Sequence, residues 1–308
     1  MQNNQVAFIL AADNSPLRVG PGPDQSRPAA DEVVIQVAAV AINPSEWKVG
    51  GEVRRFKAGD RVIGHCSGLL YGGAKHGGFQ NFTTLREAVT APIPDAARFE
   101  DAVVLPLAIS TASVGLFDDL KLRLPSADPV DEQKEKHRDE AVLIWGTASS
   151  MGSVAVQLAA AAGYRVITTA SAKNHDYVRA LTPDDGGGRR HVAVFDYHRP
   201  GVAGDIIDDI KARGLTFAGA YDCVGLEEST RTCAEVVHAF GGGVLPSVLW
   251  PPRDLPSGVE ARVVNAIRPG TVAGLCAEDV GDWGVADAAR AGDCRDGAGE
   301  DRGGVEFA

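Results

Sequence analysis

The sequence predicts an α/β protein in which a β-rich N-terminal half precedes a doubly wound parallel sheet. Three observations predict it. Residues Ala141 to Asn174 run as strand, glycine turn, helix and second strand with no break in the hydrophobic pattern. The part before Glu100 holds short strands at close spacing and no helix of convincing period. The chain has 308 residues, 44% of them hydrophobic, which is enough to bury two adjoining cores.

In chain order, Val6 to Leu10 and Val33 to Val40 read as strands, separated by a Pro/Gly/Asp-rich loop from Asp13 to Asp31. Arg61 to His65, after the turn at Gly59 and Asp60, and Gly78 to Thr84 add further short strands of antiparallel character. Val103 to Phe117 reads as a turn at Pro106 leading into a buried helix. The charged run from Asp128 to Glu140 is a solvated connection.

Val142, Leu143, Ile144 and Trp145 then form a continuous apolar run, as a parallel strand covered on both faces does. It stops at Gly146. A helix is predicted from near Gly152, carrying Val154, Val156, Leu158 and Ala159 and ending at Gly163, before Tyr164 to Thr169 resume a strand. The turn is G-T-A-S-S-M-G, with Gly146 and Gly152 at the outer positions and Ser149 where a third glycine is usual. Such a turn brings backbone N–H groups and a helix N-terminus to a pyrophosphate, with the hydroxyls of Ser149 and Ser150 adding donors. Gly146, Ser149, Ser150, Met151 and Gly152 are therefore candidate dinucleotide contacts.

The second strand ends in T-T-A-S-A-K-N, where a site preferring NAD carries a carboxylate for the ribose 2′-hydroxyl. Here Ser171, Ala172, Lys173 and Asn174 offer hydroxyl and ammonium donors that suit the 2′-phosphate of NADP. The alternative is a helix N-cap at Ser171 followed by a solvated lysine. Thr182 to Arg190 is glycine-rich, and Arg189 or Arg190 reaches a 2′-phosphate only if that loop folds inward. His191 to Tyr197 and Gly219 to Val224 read as further strands, Thr230 to Phe240 as a helix returning to Gly241, Gly242 and Gly243, and Val244 to Val248 as the next strand.

A formal net charge of −11 argues against a general nucleic-acid or membrane-surface role. Cys66, Cys223, Cys233, Cys276 and Cys294 form no C-x-x-C pair, so no zinc site is expected. His65 and Cys66 are adjacent, and neighbours on a strand point to opposite faces, which makes His65 a structural histidine. The hydrophobic runs fall short of a membrane span and no signal-like apolar stretch opens the chain, so the expected compartment is the reducing cytoplasm.

Strings from Val33 to Arg268 carry a family resemblance: DEVVIQV, INPSEWK, RFKAGDRVIGH, GGFQNFT, LPLAISTA, VLIWGTASSMGSVAVQLA, TASAKN, FDY, YDCVG and GGGVL. On them the chain resembles the zinc-independent medium-chain dehydrogenase/reductase superfamily, and within it the fungal trans-acting enoyl reductases and the quinone oxidoreductases. The resemblance implies a GroES-like barrel over residues 1–103, a Rossmann-type NADP-binding domain over 104–268 and an atypical, disordered tail over 269–308. It implies NADP(H) as cofactor and transfer of hydride to an activated C=C of an enoyl thioester, enone or quinone, with a small-molecule or carrier-bound substrate and a polyketide synthase as partner. The chain is expected to act as a monomer or homodimer.

The resemblance also places Ser45, Glu46, Trp47 and Lys48, in the loop where zinc relatives carry a cysteine ligand, beside the nicotinamide ribose; the alternative is a surface turn. It sets Leu105, Pro106, Leu107, Ala108, Ile109, Ser110, Thr111 and Ala112 against substrate, with the Thr111 hydroxyl near the nicotinamide, unless Ser110 and Thr111 back-bond within a helix. Tyr197 of the F-D-Y string is expected near the adenosine phosphate, and Leu245 and Pro246 over the nicotinamide as backbone or packing contacts; the alternative for their side chains is plain core. No catalytic acid or base is identified.

Two departures from the family stand out. Between Val49 and Phe56 a segment carrying barrel strands is missing, near 49–54, so the barrel is expected to be incomplete. After Arg268 the tail lacks convincing periodicity. The competing reading is a catalytically impaired nucleotide-binding fragment. A methyltransferase using S-adenosylmethionine would mark Thr168 to Ser171 with an acidic residue, which is absent.

Overall fold

The computed structural model describes residues 5–8, 18–22, 28–29, 32–40, 55–57, 59–66, 74–125, 139–182 and 192–266. Ser45 to Lys48, the altered segment near 49–54, Arg189, Arg190, Cys276, Cys294 and the 269–308 tail lie outside these described residues.

The described N-terminal strands pair as three antiparallel ribbons. β1 (Gln5–Phe8) pairs with β2 (Arg18–Pro21), β3 (Glu32–Gln36) with β5 (Phe82–Arg86), and β4 (Val62–Gly64) with β6 (Thr90–Pro92). β2 falls inside the stretch expected to be loop. Its R-V-G-P sequence carries two turn-forming residues, yet a ladder running from Gln5↔Pro21 to Phe8↔Arg18 overrides that local preference. β6 is equally unexpected from sequence, being only three residues long.

Helices α1 (Phe99–Ala102) and α2 (Leu105–Ser113) follow, and α2 continues as a wider π-type stretch over Val114–Asp119. Pro106 lies in the first turn of α2, where its missing N–H costs nothing, so it starts the helix instead of forming a turn before it. The helical run from Phe99 to Asp119 is long and apolar enough to cross a bilayer by length and composition, contrary to the sequence-based reading, but half of it is buried inside the protein. It serves as a core helix.

β7 (Glu140–Trp145), α3 (Ser150–Ala161) and β8 (Arg165–Thr169) form the expected βαβ unit. α4 (His175–Ala180), β9 (Val192–Phe195), α5 (Val202–Ala212), β10 (Thr216–Asp222), α6 (Glu227–Ala239), β11 (Gly243–Ser247) and β12 (Val259–Val263) complete the described elements. The six strands make one parallel sheet in the order β12-β11-β10-β7-β8-β9, the doubly wound order whose direction reverses between β7 and β10.

Side chains of β7 alternate between two cores, which is why its run is apolar throughout. Val142 and Ile144 pack with Val154, Val156 and Tyr221 on the α2/α3 face. Ala141, Leu143 and Trp145 pack with Ile206, Ile210 and Val237 on the α5/α6 face.

One polar pair lies deep in the N-terminal half. His65, just past β4, is buried with Nδ1 3.2 Å from the Ser110 hydroxyl on α2. Ser110 thus neither back-bonds nor faces open space. Burial holds the His65 imidazole down at about 4, so it stays neutral. The unfolded chain takes up a proton near the ordinary 6.5 and the folded chain does not until about 4. Stability is therefore complete above 6.5 and falls progressively between 6.5 and 4, by up to about 3 kcal/mol. Melting temperatures measured across that window should drop in the unmodified protein and drop less in His65→Gln. Parallel profiles would refute the assignment.

Candidate dinucleotide-binding site

The C-terminal ends of β7, β8, β9 and β10 open into one cleft of about 800 Å³, within the size range of cofactor sites. It sits at the reversal point of the sheet, where doubly wound folds bind ligands outside the carboxyl ends of the strands. Gly146 and Ser149 from the turn after β7, Ser171 and Asn174 from the loop after β8, Tyr197 from the loop after β9 and Val224 from the loop after β10 line it.

The floor is the glycine turn, held to β8 by threonines. The Gly146 N–H donates to the Thr169 hydroxyl at 3.0 Å and the Thr147 N–H to the Thr169 carbonyl at 3.1 Å. The Thr168 hydroxyl donates to the Ile144 carbonyl at 2.5 Å and meets the Thr147 hydroxyl, with both threonines buried. Sequence reasoning assigns Thr168 and Thr169 no role; their tell is two hydroxyls closing a strand directly after the buried apolar pair Val166 and Ile167.

The two outer glycines are sterically required. Gly146 has φ +81°, and a Cβ on it would stand 2.3 Å from Val224 Cγ2. A Cβ on Gly152 would stand 2.4 Å from the Gly146 carbonyl oxygen. Ser149, where a third glycine is usual, has φ −79° and ψ 160°, which any residue adopts. It is the N-cap of α3: its Oγ accepts from the Gly152 N–H at 3.0 Å, and its carbonyl accepts from the Ser153 N–H. The Ser149 hydroxyl proton remains available to a ligand, as do the Ser150 and Met151 N–H groups at the positive end of the helix. That donor set fits a pyrophosphate, so the cradle suits a dinucleotide.

Past β8, Ser171 occupies an N-cap position but does not cap through its side chain; its Oγ accepts from Asn174 Nδ2 at 3.2 Å. Both face the cleft. Ala172 and Lys173 are exposed and do not line it. Tyr197 is 42% exposed at the rim, its ring centroid 4.1 Å from that of His198. Among the lining side chains, Arg199 pairs with Asp205 at 3.1 Å.

Other expected contacts lie elsewhere. The Thr111 hydroxyl back-bonds to the Leu107 carbonyl at 2.7 Å, and its own carbonyl accepts from the buried Tyr221 hydroxyl at 3.0 Å. Tyr221 also approaches Met151 Sδ, at 3.9 Å, joining α2 to the glycine turn. Burial, the nearby Cys223 thiol and two carboxylates raise the Tyr221 phenol well above its ordinary value. Ala108, Ser110 and Ala112 are buried, whereas Pro106 and Leu107 line a smaller apolar cavity of about 80 Å³ with His65 and Cys66. Leu105 and Ile109 pack against the α2/α3 core. Leu245 belongs to the core under α6 and Pro246 is also buried; neither lines the cleft, because β11 is an interior strand of a sheet covered on both faces.

A residue that sequence reasoning passes over, Asp222 at the end of β10, organises the far wall. It is fully buried. One carboxylate oxygen accepts from the N–H groups of Val224 and Gly225 at 3.0 and 2.9 Å, the other from the hydroxyls of Ser229 and Thr230 at 2.9 and 2.7 Å. Among the described residues no group of three His, Cys, Asp or Glu side chains is arranged to hold a metal ion.

No family model matches the chain. A trans-enoyl reductase of Aspergillus japonicus is 39% identical over 296 residues, which cover 87% of this chain and 80% of that protein. A dehydrogenase of Aspergillus niger is 39% identical over 226 residues, covering 71% of this chain and 61% of that one. Among solved structures, the CurK enoyl reductase superposes with a TM-score of 0.60 at 20% identity, covering 90% of this chain and 86% of that one, a likeness of fold. With the nucleotide-binding architecture described above, these relatives identify the chain as an oxidoreductase of the medium-chain dehydrogenase/reductase superfamily, which depends on nicotinamide dinucleotides, in the group that holds the fungal trans-enoyl reductases.

Proposed function

We propose that the protein is an NADPH-dependent enoyl reductase acting on the conjugated C=C of an enoyl thioester, an enone or a quinone, in the cytoplasm and without zinc. The observation that carries the cofactor choice is the end of β8. There Ser171 and Asn174 face the cleft, Lys173 stands exposed beside them, and no carboxylate occupies the position that would select a free ribose 2′-hydroxyl. The names of the relatives, trans-enoyl reductases, support the reaction class; a carrier-bound substrate presented by a polyketide synthase is part of the same proposal. When bound, the reduced nicotinamide supplies the hydride for the β-carbon of such a substrate.

The chain's own groups bind and orient. The Ser149 hydroxyl and the Ser150 and Met151 N–H groups would hold the pyrophosphate, and the Thr168/Thr169 hydrogen bonds keep that cradle in register with the sheet. Lys173, exposed on the short turn between β8 and α4 just outside the cleft lining, is the ammonium that would turn toward a bound 2′-phosphate.

NADPH should accordingly bind at least tenfold more tightly than NADH, a difference of about 1.4 kcal/mol. Lys173→Glu should erase the preference. Titration of the protein's fluorescence with each nucleotide checks both statements, and equal affinities in the unmodified protein would sink the NADPH assignment. Stoichiometric metal whose chelation abolished turnover would overturn the zinc-free reading.

A further inference from the structure

Three large apolar side chains stand exposed together at the carboxyl edge of the sheet: Leu226 at 61%, Leu249 at 51% and Trp250 at 86%. Leu226 opens α6 and lines the cleft; Leu249 and Trp250 follow β11. The two loops touch. A Cβ on Gly225 would stand 2.7 Å from both the backbone nitrogen and the Cβ of Leu249, so the β11 loop lies directly on the β10 loop. Leu249 thereby abuts the loop that forms the wall of the cofactor cleft, and Trp250 is the next residue.

These loops are also held from both sides. Upstream, the Val248 N–H donates to the Asp222 carbonyl at 3.1 Å, while the Asp222 carboxylate secures Val224 and Gly225. Downstream, Arg231 of α6 donates to the Asp254 carbonyl at 2.9 Å and to both its carboxylate oxygens at 2.8 and 3.0 Å. Trp250 sits between these two anchors and is followed by Pro251 and Pro252, which restrict the backbone further. An indole kept in water on a fixed backbone forfeits the gain of burying one of the largest apolar side chains, and exposed apolar patches of this kind mark binding sites.

The occupant follows from position and chemistry. Ser171, Asn174 and Tyr197, on the β8/β9 side of the reversal point, belong to the half that takes the adenosine end of a dinucleotide. The β10/β11 side is left for the nicotinamide end and whatever reacts with it. The three exposed side chains are uncharged, and the nearby Asp254 and Arg231 are engaged with each other and, for Arg231, with Glu227. A hydrocarbon chain matches that surface.

We propose that Leu226, Leu249 and Trp250 form a platform for the acyl chain of the substrate, with Trp250 as the residue that favours longer chains. This rests on the enoyl-thioester reading of the function, but its test does not depend on turnover. The probes are octanoyl- and acetyl-N-acetylcysteamine, saturated thioesters that cannot be reduced, titrated by isothermal calorimetry with and without NADPH. Octanoyl thioester should bind at least tenfold more tightly than acetyl thioester, Trp250→Ala should remove most of that margin, and Trp250→Phe should keep most of it. NADPH affinity and melting temperature should not change in either variant, since the side chain is solvent-exposed.

Equal binding of the two thioesters by the unmodified protein, or an unaltered margin in Trp250→Ala, overturns the platform. A Trp250→Ala variant whose sedimentation mass halves also overturns it, by assigning the patch to a contact between two copies of the chain. Absence of NADPH binding with a retained octanoyl margin would instead strike the cofactor assignment and leave the platform standing.

Discussion

Gly152→Ala is expected to reduce dinucleotide affinity at least hundredfold, about 2.7 kcal/mol, and to lower stability. The added methyl would stand 2.4 Å from the Gly146 carbonyl oxygen and 2.7 Å from Thr147 Cα, both backbone atoms that cannot swing aside. Either α3 moves away from the turn or the turn opens. Both displace the Ser150 and Met151 N–H groups from the cleft and break the bond from the Gly152 N–H to Ser149 Oγ. Overpacking of this kind costs about 1–3 kcal/mol of stability, a few degrees of melting temperature in a chain of this size. Ser149→Gly is the informative partner: the position needs no glycine, and replacing a serine cap by glycine costs only a few tenths of a kcal/mol. Calorimetric titration and thermal melts of the two variants should differ sharply. Comparable losses at 149 and 152 would show that the turn tolerates the methyl and that affinity arises elsewhere.

The same turn shows what is legible in the sequence and why. β7, α3 and β8 are readable because a parallel strand buried on both faces leaves an unbroken apolar run and the turn needs glycine at two fixed places. The missing third glycine weakens the motif only on paper, since Ser149 has ordinary extended backbone and caps the helix. β2 is unreadable because its strand character comes from pairing with β1 across the chain. The Ser110 partner, 45 positions away at His65, carries no local signal either. Resemblance sets Leu245 and Pro246 over the nicotinamide as backbone or packing contacts, and their side chains enter the core as apolar residues of an interior strand do, while the loop just beyond, with Leu249 and Trp250, reaches the open edge. Within the site, spacing identifies the cradle; it does not say which side chains of the neighbouring strands face it.

Asp222→Ala should be among the most damaging single changes in the nucleotide-binding half, costing about 4 kcal/mol, or roughly 10 °C of melting temperature. The carboxylate is fully buried and accepts four hydrogen bonds, two from backbone N–H groups and two from hydroxyls. Removing it strands the Val224 and Gly225 N–H groups in a site where water reaches poorly, and each unsatisfied buried donor costs about 1–3 kcal/mol. The loss is functional as well as structural, because the Val224–Gly225 loop is both a wall of the cofactor cleft and the bed on which Leu249 lies. Asp222→Asn separates charge from geometry. Its carbonyl can keep the two N–H bonds, and its amide can donate to Ser229, whose hydroxyl already has a second acceptor in the Leu226 carbonyl at 2.9 Å. Only the Thr230 bond needs the hydroxyl to turn. The asparagine variant should therefore lose about 1–2 kcal/mol and retain dinucleotide binding within a few fold. Chemical denaturation and nucleotide titration of both variants check this, and an asparagine variant as unstable as the alanine one would mean that the negative charge, not the hydrogen-bond pattern, holds the loop.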